Sequence, residues 1–174
     1  SMLTHKGTRT IETTRLIWRR AVREDAEPMF RNWAADPEVT KYLTWPTYEK
    51  VETAYQILDL WAGEYEKPDY YQWMIVLKEL EEPIGSISVV HQNDKVAKME
   101  IGYCIGKTWW NRGITSEALA LSLFTNTHIG IPISFSSDLY SSATSSLFFT
   151  VVIIPSGKRR SHIFVTDSSE PPGL

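Results

Sequence analysis

A chain of 174 residues, 43 % hydrophobic and 22 % charged, is long enough for one domain with a full core. Its net charge of −3 argues against a dedicated nucleic-acid binder, which should carry a basic face. Its apolar runs fall short of the roughly 18 residues a membrane span needs, and no basic-then-apolar leader opens it.

The single cysteine, Cys104, excludes an internal disulfide framework, so a reducing cytoplasm is the expected location. Residues 16–22 (LIWRRAV) read as a strand. A helix opens at Arg23, carries Met29, Phe30 and Trp33 at helical spacing, and stops near Asp36 and Pro37. A loop over 42–47 follows, with Thr47 as the expected cap of a second helix and Glu49 and Glu52 in its first turn. Val51, Tyr55, Leu58 and Trp61 lie along one face of that helix. Strands are expected at 71–77, 84–90 and 98–105, the last two joined by the polar turn 92–95. A meander that hands over to a helix near Ser116 predicts a mixed α/β domain.

The composition changes near residue 121. All seven tryptophans lie before it, whereas after it only Asp138 is charged until Lys158. The serine-rich tail holds the β-prone run LFFTVVII (147–154), which must be buried or become an aggregation hazard.

The stretch WWNRGITSEALALSLF (109–124) places Gly113 where a helix begins. The first N–H groups of a helix lack intrahelical partners and favour an anion, and Gly113 would let a phosphate approach the backbone. Arg112 would add a charge-assisted contact. On spacing alone an ordinary capped helix start is the simpler reading, and neither the three-glycine nucleotide fingerprint nor a P-loop is present. His5, His91, His128 and His162 have no metal-ligand spacing, so no metal is expected. Tyr42, Trp45, Tyr70, Tyr71 and Trp73 form an aromatic group suited to a pocket or a core; Tyr42, Trp45 and Tyr71 are the acceptor-pocket candidates, Trp45 first among them.

Three blocks, 13–46, 73–89 and 99–121, resemble in order the GNAT-fold N-acetyltransferases. The pattern is nearest the RimJ/RimL-type branch that acetylates ribosomal-protein N-termini and its small-molecule relatives. The resemblance implies a GNAT α/β (α+β) fold, with a mostly antiparallel mixed sheet flanked by helices in one domain spanning 1–174. It implies acetyl-CoA as cosubstrate and a primary amine, on a small molecule or a protein N-terminus, attacking directly. The family loop, Gln/Arg-x-x-Gly-x-Gly/Ala, falls on Trp110, Gly113 and Thr115. The backbone of Asn111, Arg112, Gly113, Ile114, Thr115 and Ser116 would hold the pyrophosphate. Tyr103, Cys104 and Ile105 would pair with the pantetheine arm, and Glu100 matches the general base. Cys104 has no His/Asn partner set and reads as a small strand residue rather than a nucleophile.

The resemblance covers 1–123 and stops there. Residues 124–174 lack the family's asparagine, although Asp138, Ser141 and Thr144 fall at about its spacing. That tail reads as a diverged second half with strands at 131–137, 148–154 and 162–167, as a frameshifted segment, or as a tail adapted to a partner. The frameshift accounts for both the lost charge and the serine excess. The apolar run also leaves room for a homodimer contact. An acetyltransferase is thus the first expectation, and a GNAT-like remnant with a structural or partner-binding role is its rival.

Overall fold

A computed structural model describes residues 5–41, 43, 45–93, 98–110, 112–114, 133–134, 146–156 and 160–168. Among them, eight strands form one sheet: β1 (Ile11–Glu12), β2 (Leu16–Arg19), β3 (Gln72–Leu77), β4 (Glu82–Asn93), β5 (Lys98–Ile105), β6 (Ile133–Ser134), β7 (Ser146–Ser156) and β8 (Arg160–Ser168). Their order across the sheet is β1-β2-β3-β4-β5-β7-β8-β6. Every neighbouring pair is antiparallel except β6 with β8.

β3 is the centre of the core, with all six residues buried. Met74 and Val76 join the helix-side cluster, while Trp73 meets Trp18 of β2 edge-to-face on the opposite side, with centroids 5.9 Å apart. A strand covered on both faces loses the apolar–polar alternation of a half-exposed one. Gly85 lets β4 close on β5: a Cβ there would stand 2.2 Å from the Cys104 carbonyl oxygen.

The helical layer begins with the 3-10 turn Arg23–Asp25 and α1 (Ala26–Met29), and continues as a π-helical stretch over Phe30–Ala34. Asp25 is buried. It takes a bidentate pair from Arg19 at 2.7 and 2.8 Å, and its Oδ2 also accepts from the Val22 N–H at 2.9 Å. This ties the start of the helical layer to the end of β2. The expected stop at Asp36 and Pro37 is a restart: Asp36 accepts from the Glu38 N–H and Pro37 opens α2 (Pro37–Thr40).

Two sequence expectations are corrected here. Thr47 does not cap the next helix, α3 (Val51–Glu64), whose cap position is Lys50 with no side-chain cap bond. The Thr47 hydroxyl is taken by Thr40 Oγ1 at 2.6 Å. The core face of α3 is carried by Ala54 and Leu58, with Tyr55 and Trp61 only partly buried. In the tail, the expected strands 148–154 and 162–167 fall within β7 and β8, and only Ile133–Ser134 of the third is described. The helix expected from Ser116, together with Asp138, Ser141 and Thr144, lies outside the described residues.

Candidate active site

A cleft of about 570 Å³ opens between the helical layer and the sheet. Its floor is a row of cross-strand neighbours. Gln72 stands opposite Ser88, and Ser86 opposite Cys104, so β3, β4 and β5 present them on one face. Ser86 Oγ lies 3.4 Å from Cys104 Sγ. One wall is the loop before α3, where Trp45 packs on Tyr48 with centroids 4.9 Å apart. The other is a stripe of α3 formed by Thr53, Ile57 and Trp61, spaced four apart and therefore on one face. Glu49 and Lys50 are the charged lining residues, and both are exposed.

The interior of the cleft holds protons tightly. Burial pushes the Cys104 thiol up to about 11, against the opposing Ser86 hydrogen bond. Burial, and then the neighbouring Cys104, push the Tyr48 hydroxyl up to about 12. Both groups are protonated at neutral pH, so Cys104 presents a thiol and not the thiolate a covalent route needs.

Beyond β5 the chain turns through Lys107–Trp109. The Trp110 indole N–H donates to the Ile105 carbonyl at 2.7 Å, and Lys107 pairs with Glu38 of α2. Gly113 has φ +72, a left-handed conformation that disfavours any side chain, so its first requirement is conformational. Arg15 Nη1 donates to the Arg112 carbonyl at 3.0 Å, and Ile114 is buried.

The candidate residues therefore separate into groups. Trp45, Tyr103 and Cys104 meet at the cleft. Trp110, Arg112, Gly113 and Ile114 lie along the turn after β5, outside the lining. Tyr71 is elsewhere: it is 2 % exposed, its hydroxyl meets His5 Nδ1 at 2.8 Å, and its ring stacks on Trp73. The strand alternation that brings Gln72 to the cleft turns Tyr71 away from it. Glu100 sits on β5 opposite His91 and Thr150, four residues before Cys104. Tyr42, Asn111, Thr115 and Ser116 lie outside the described residues.

Tyr103 and Cys104 were expected to offer their outer strand edge to a pantetheine arm. In the structure that edge carries β7: Tyr103 stands opposite Leu147 and Cys104 opposite Ser146. There β5 supplies the backbone N–H and C=O groups of β7 with a ladder over Lys98–Cys104. Ile105 has no β7 partner among the described residues.

Sequence reasoning missed Tyr48, Ile57, Gln72, Ser86 and Ser88. The spacing of 53, 57 and 61 was available as a second stripe beside the 54 and 58 core stripe. The two serines carried no signal, because only the β3-β4-β5 register brings them together.

Residues 15–131 match the model of the acetyltransferase (GNAT) domain. The chain belongs to the GNAT acetyltransferase family. It is 31 % identical over 110 residues to the uncharacterized N-acetyltransferase p20 of Bacillus licheniformis, covering 63 % of this chain and 61 % of that one. It is 33 % identical over 110 residues to the uncharacterized N-acetyltransferase YoaA of Bacillus subtilis (strain 168), covering 63 % and 62 %. The chain thus spans about three-fifths of the length of these curated relatives. The ribosomal-protein-S5-alanine acetyltransferase of Vibrio fischeri aligns at a TM-score of 0.56 over 67 % of this chain and 66 % of that one. At 14 % identity, that likeness concerns the fold.

Proposed function

We propose that this chain is an acetyl-CoA-dependent N-acetyltransferase acting on a primary amine held in the cleft beside Trp45, Tyr48 and Trp61. One observation carries the reading. The end of β5 forms part of the cleft floor, and the turn at Gly113 follows Cys104 by about nine residues along the same segment. An amine in the cleft and a donor whose diphosphate rests on that turn would meet at Cys104. The amine must lose a proton before it attacks, and Glu100, four residues before Cys104 on β5, is the base in this reading. Attack forms the amide bond and breaks the thioester, and the thiolate leaves with the CoA.

Among the described residues no buried charged side chain lines the cleft, which suits an acceptor presenting its amine beside an apolar or small group rather than a polycation. A protein N-terminus with a small side chain meets that description, as does a small apolar amine. The name of the Vibrio fischeri protein, which specifies alanine on a ribosomal protein, supports the first.

A second reading has an observation of its own. The pairing of β7 across Tyr103 and Cys104 favours a GNAT-like remnant in which the donor slot is closed.

Titration calorimetry of acetyl-CoA into the full chain, followed by a transfer assay on short peptides and simple amines, separates the two. The enzyme reading expects micromolar binding and measurable transfer. Glu100→Gln should lower kcat about 100-fold while leaving acetyl-CoA affinity unchanged. No binding and no transfer leaves the remnant.

A further inference from the structure

Gln72 is a buried polar residue on the cleft floor, and the transfer step leaves it without a role. Its backbone is held by side chains. The β2–β3 ladder stops at Met74, so the Gln72 N–H donates to Thr8 Oγ1 at 3.1 Å and its carbonyl accepts from the Tyr65 hydroxyl at 3.0 Å. Both holders are themselves anchored. Thr8 Oγ1 donates to the Tyr70 carbonyl at 2.8 Å, and the Tyr65 oxygen accepts from the Ala21 N–H at 2.8 Å.

The side-chain amide has a defined direction. Nε2 donates to the Ile87 carbonyl in a long bond of 3.5 Å. A carbonyl only accepts, so Ile87 takes the NH2 end and leaves Oε1 as the end with no donor among the described residues. Around it the floor is polar but uncharged. Ser88, the register partner of Gln72 on β4, adds a hydroxyl, and Gly102 opposite Ser88 on β5 adds no side chain. Ile87 lies between Ser88 and Ser86, and Ser86 is in register with Cys104. The Gln72 amide thus stands one residue's rise, roughly 3.4 Å, from the level of Cys104, where amine and thioester meet in the reading above.

An acceptor whose amine lies at the Cys104 level brings the next group along its own chain to the Gln72 oxygen. That oxygen is neutral and only accepts, so it calls for an N–H. A carboxylate in that place would set acceptor against acceptor in a buried setting, which disfavours a free amino acid. We propose that Gln72 is a specificity-determining residue of the acceptor site, its Oε1 accepting the N–H of a secondary amide one link from the acceptor amine, as in the first peptide bond of a protein N-terminus. This rests on the acetyltransferase reading above and decides between its two acceptor classes.

The test compares the parent with Gln72→Met, which keeps the side-chain length without the amide. Three acceptors are used with acetyl-CoA: alanylalaninamide, its analogue N-methylated at the first peptide bond, and isopropylamine, a branched amine with no amide. Transfer is followed by thiol release and folding by thermal melting. N-methylation should cost the parent about tenfold in kcat/KM. Gln72→Met should lose about tenfold on the dipeptide, be indifferent to the N-methyl group, and lose far less on isopropylamine. An N-methyl loss that persists in Gln72→Met is steric and overturns the proposal. So does an unchanged rate on the dipeptide, or an equal loss on dipeptide and isopropylamine, which would make Gln72 a general prop of the cleft. The N-methyl comparison within the parent holds even if Gln72→Met melts early, and equal rates there overturn the proposal by themselves. If the parent acetylates none of the three, the acetyltransferase reading fails and takes this inference with it; a parent that acetylates all three alike sinks the Gln72 role alone.

Discussion

Cys104 is 3 % exposed, stands at the floor of the cleft, and keeps its proton to about pH 11 because burial penalises the thiolate. The consequence for stability has a definite sign. An unfolded thiol ionises near 9, so the folded state binds more protons between about 9 and 11. The contribution of Cys104 is whole below pH 9 and is lost as pH rises through 11. Tyr48 and Tyr65, both raised by burial to about 12, extend the loss upward. Urea melts at pH 8, 9, 10 and 11 should show stability falling across this range, with a shallower fall for Cys104→Ala between 9 and 11. Identical slopes in the two proteins would mean that the thiol is not desolvated. Gly113 gives a lesson at the same scale. The sequence suggested a glycine for close approach, and the backbone shows a prior reason, its positive φ.

At the scale of elements, Asp25 decides how the helical layer begins. Its two oxygens satisfy Arg19 and the Val22 N–H, and the Asp25 hydrogen bond is the first cause of the raised Arg19 pKa. Asp25→Ala leaves a half-buried guanidinium and a backbone donor without their partner. The expected loss is about 2–3 kcal/mol, at or below the low end for breaking a buried pair because Arg19 keeps some solvent. Asp25→Asn, which keeps the shape and one acceptor, should recover part of it. Urea denaturation midpoints at constant m-value check both. The sequence announced a helix from Arg23 through Trp33, correct in extent. It gave no sign of the π-helical stretch, whose Ala35 N–H reaches back five residues to Phe30. The α3 helix was legible as amphipathic, but the division of its inner side into core at 54 and 58 and cleft at 53, 57 and 61 was not. Both stripes are moderately apolar, and only the placement of the 45–50 loop separates them.

For the whole molecule, the decisive contact is β5 with β7, over Lys98–Cys104 against Ser146–Val152. If the donor arm takes the β5 edge as the family resemblance implies, β7 must give way at its Ser146–Leu147 end. Hydrogen–deuterium exchange should then show amides 146–149 becoming faster on addition of acetyl-CoA while those of β3 remain protected. Uniform protection of 146–149 with bound acetyl-CoA would show that the donor enters without displacing the strand. The sequence by itself placed the strands beginning at Leu16, Tyr71, Ile84 and Lys98 and the helices over 23–33 and 51–61, marked Gly113, and resembled the GNAT family in three blocks; it gave no sign of β1 or α2, and the tail strands were one of three readings it left open. The segments are written in local periodicity and turn residues, the special status of Gly113 in the backbone needs of a glycine, and the family only in the resemblance of whole motif blocks. Only the tertiary structure decided that Tyr71 packs away from the cleft, that Ser86 and Ser88 face it, that Arg15 reaches Arg112, and that β7 lies along Tyr103 and Cys104. Each of these depends on strand register or on a contact between residues tens of positions apart. Side-chain alternation fixes which residues share a face, and only the folded sheet fixes what that face meets.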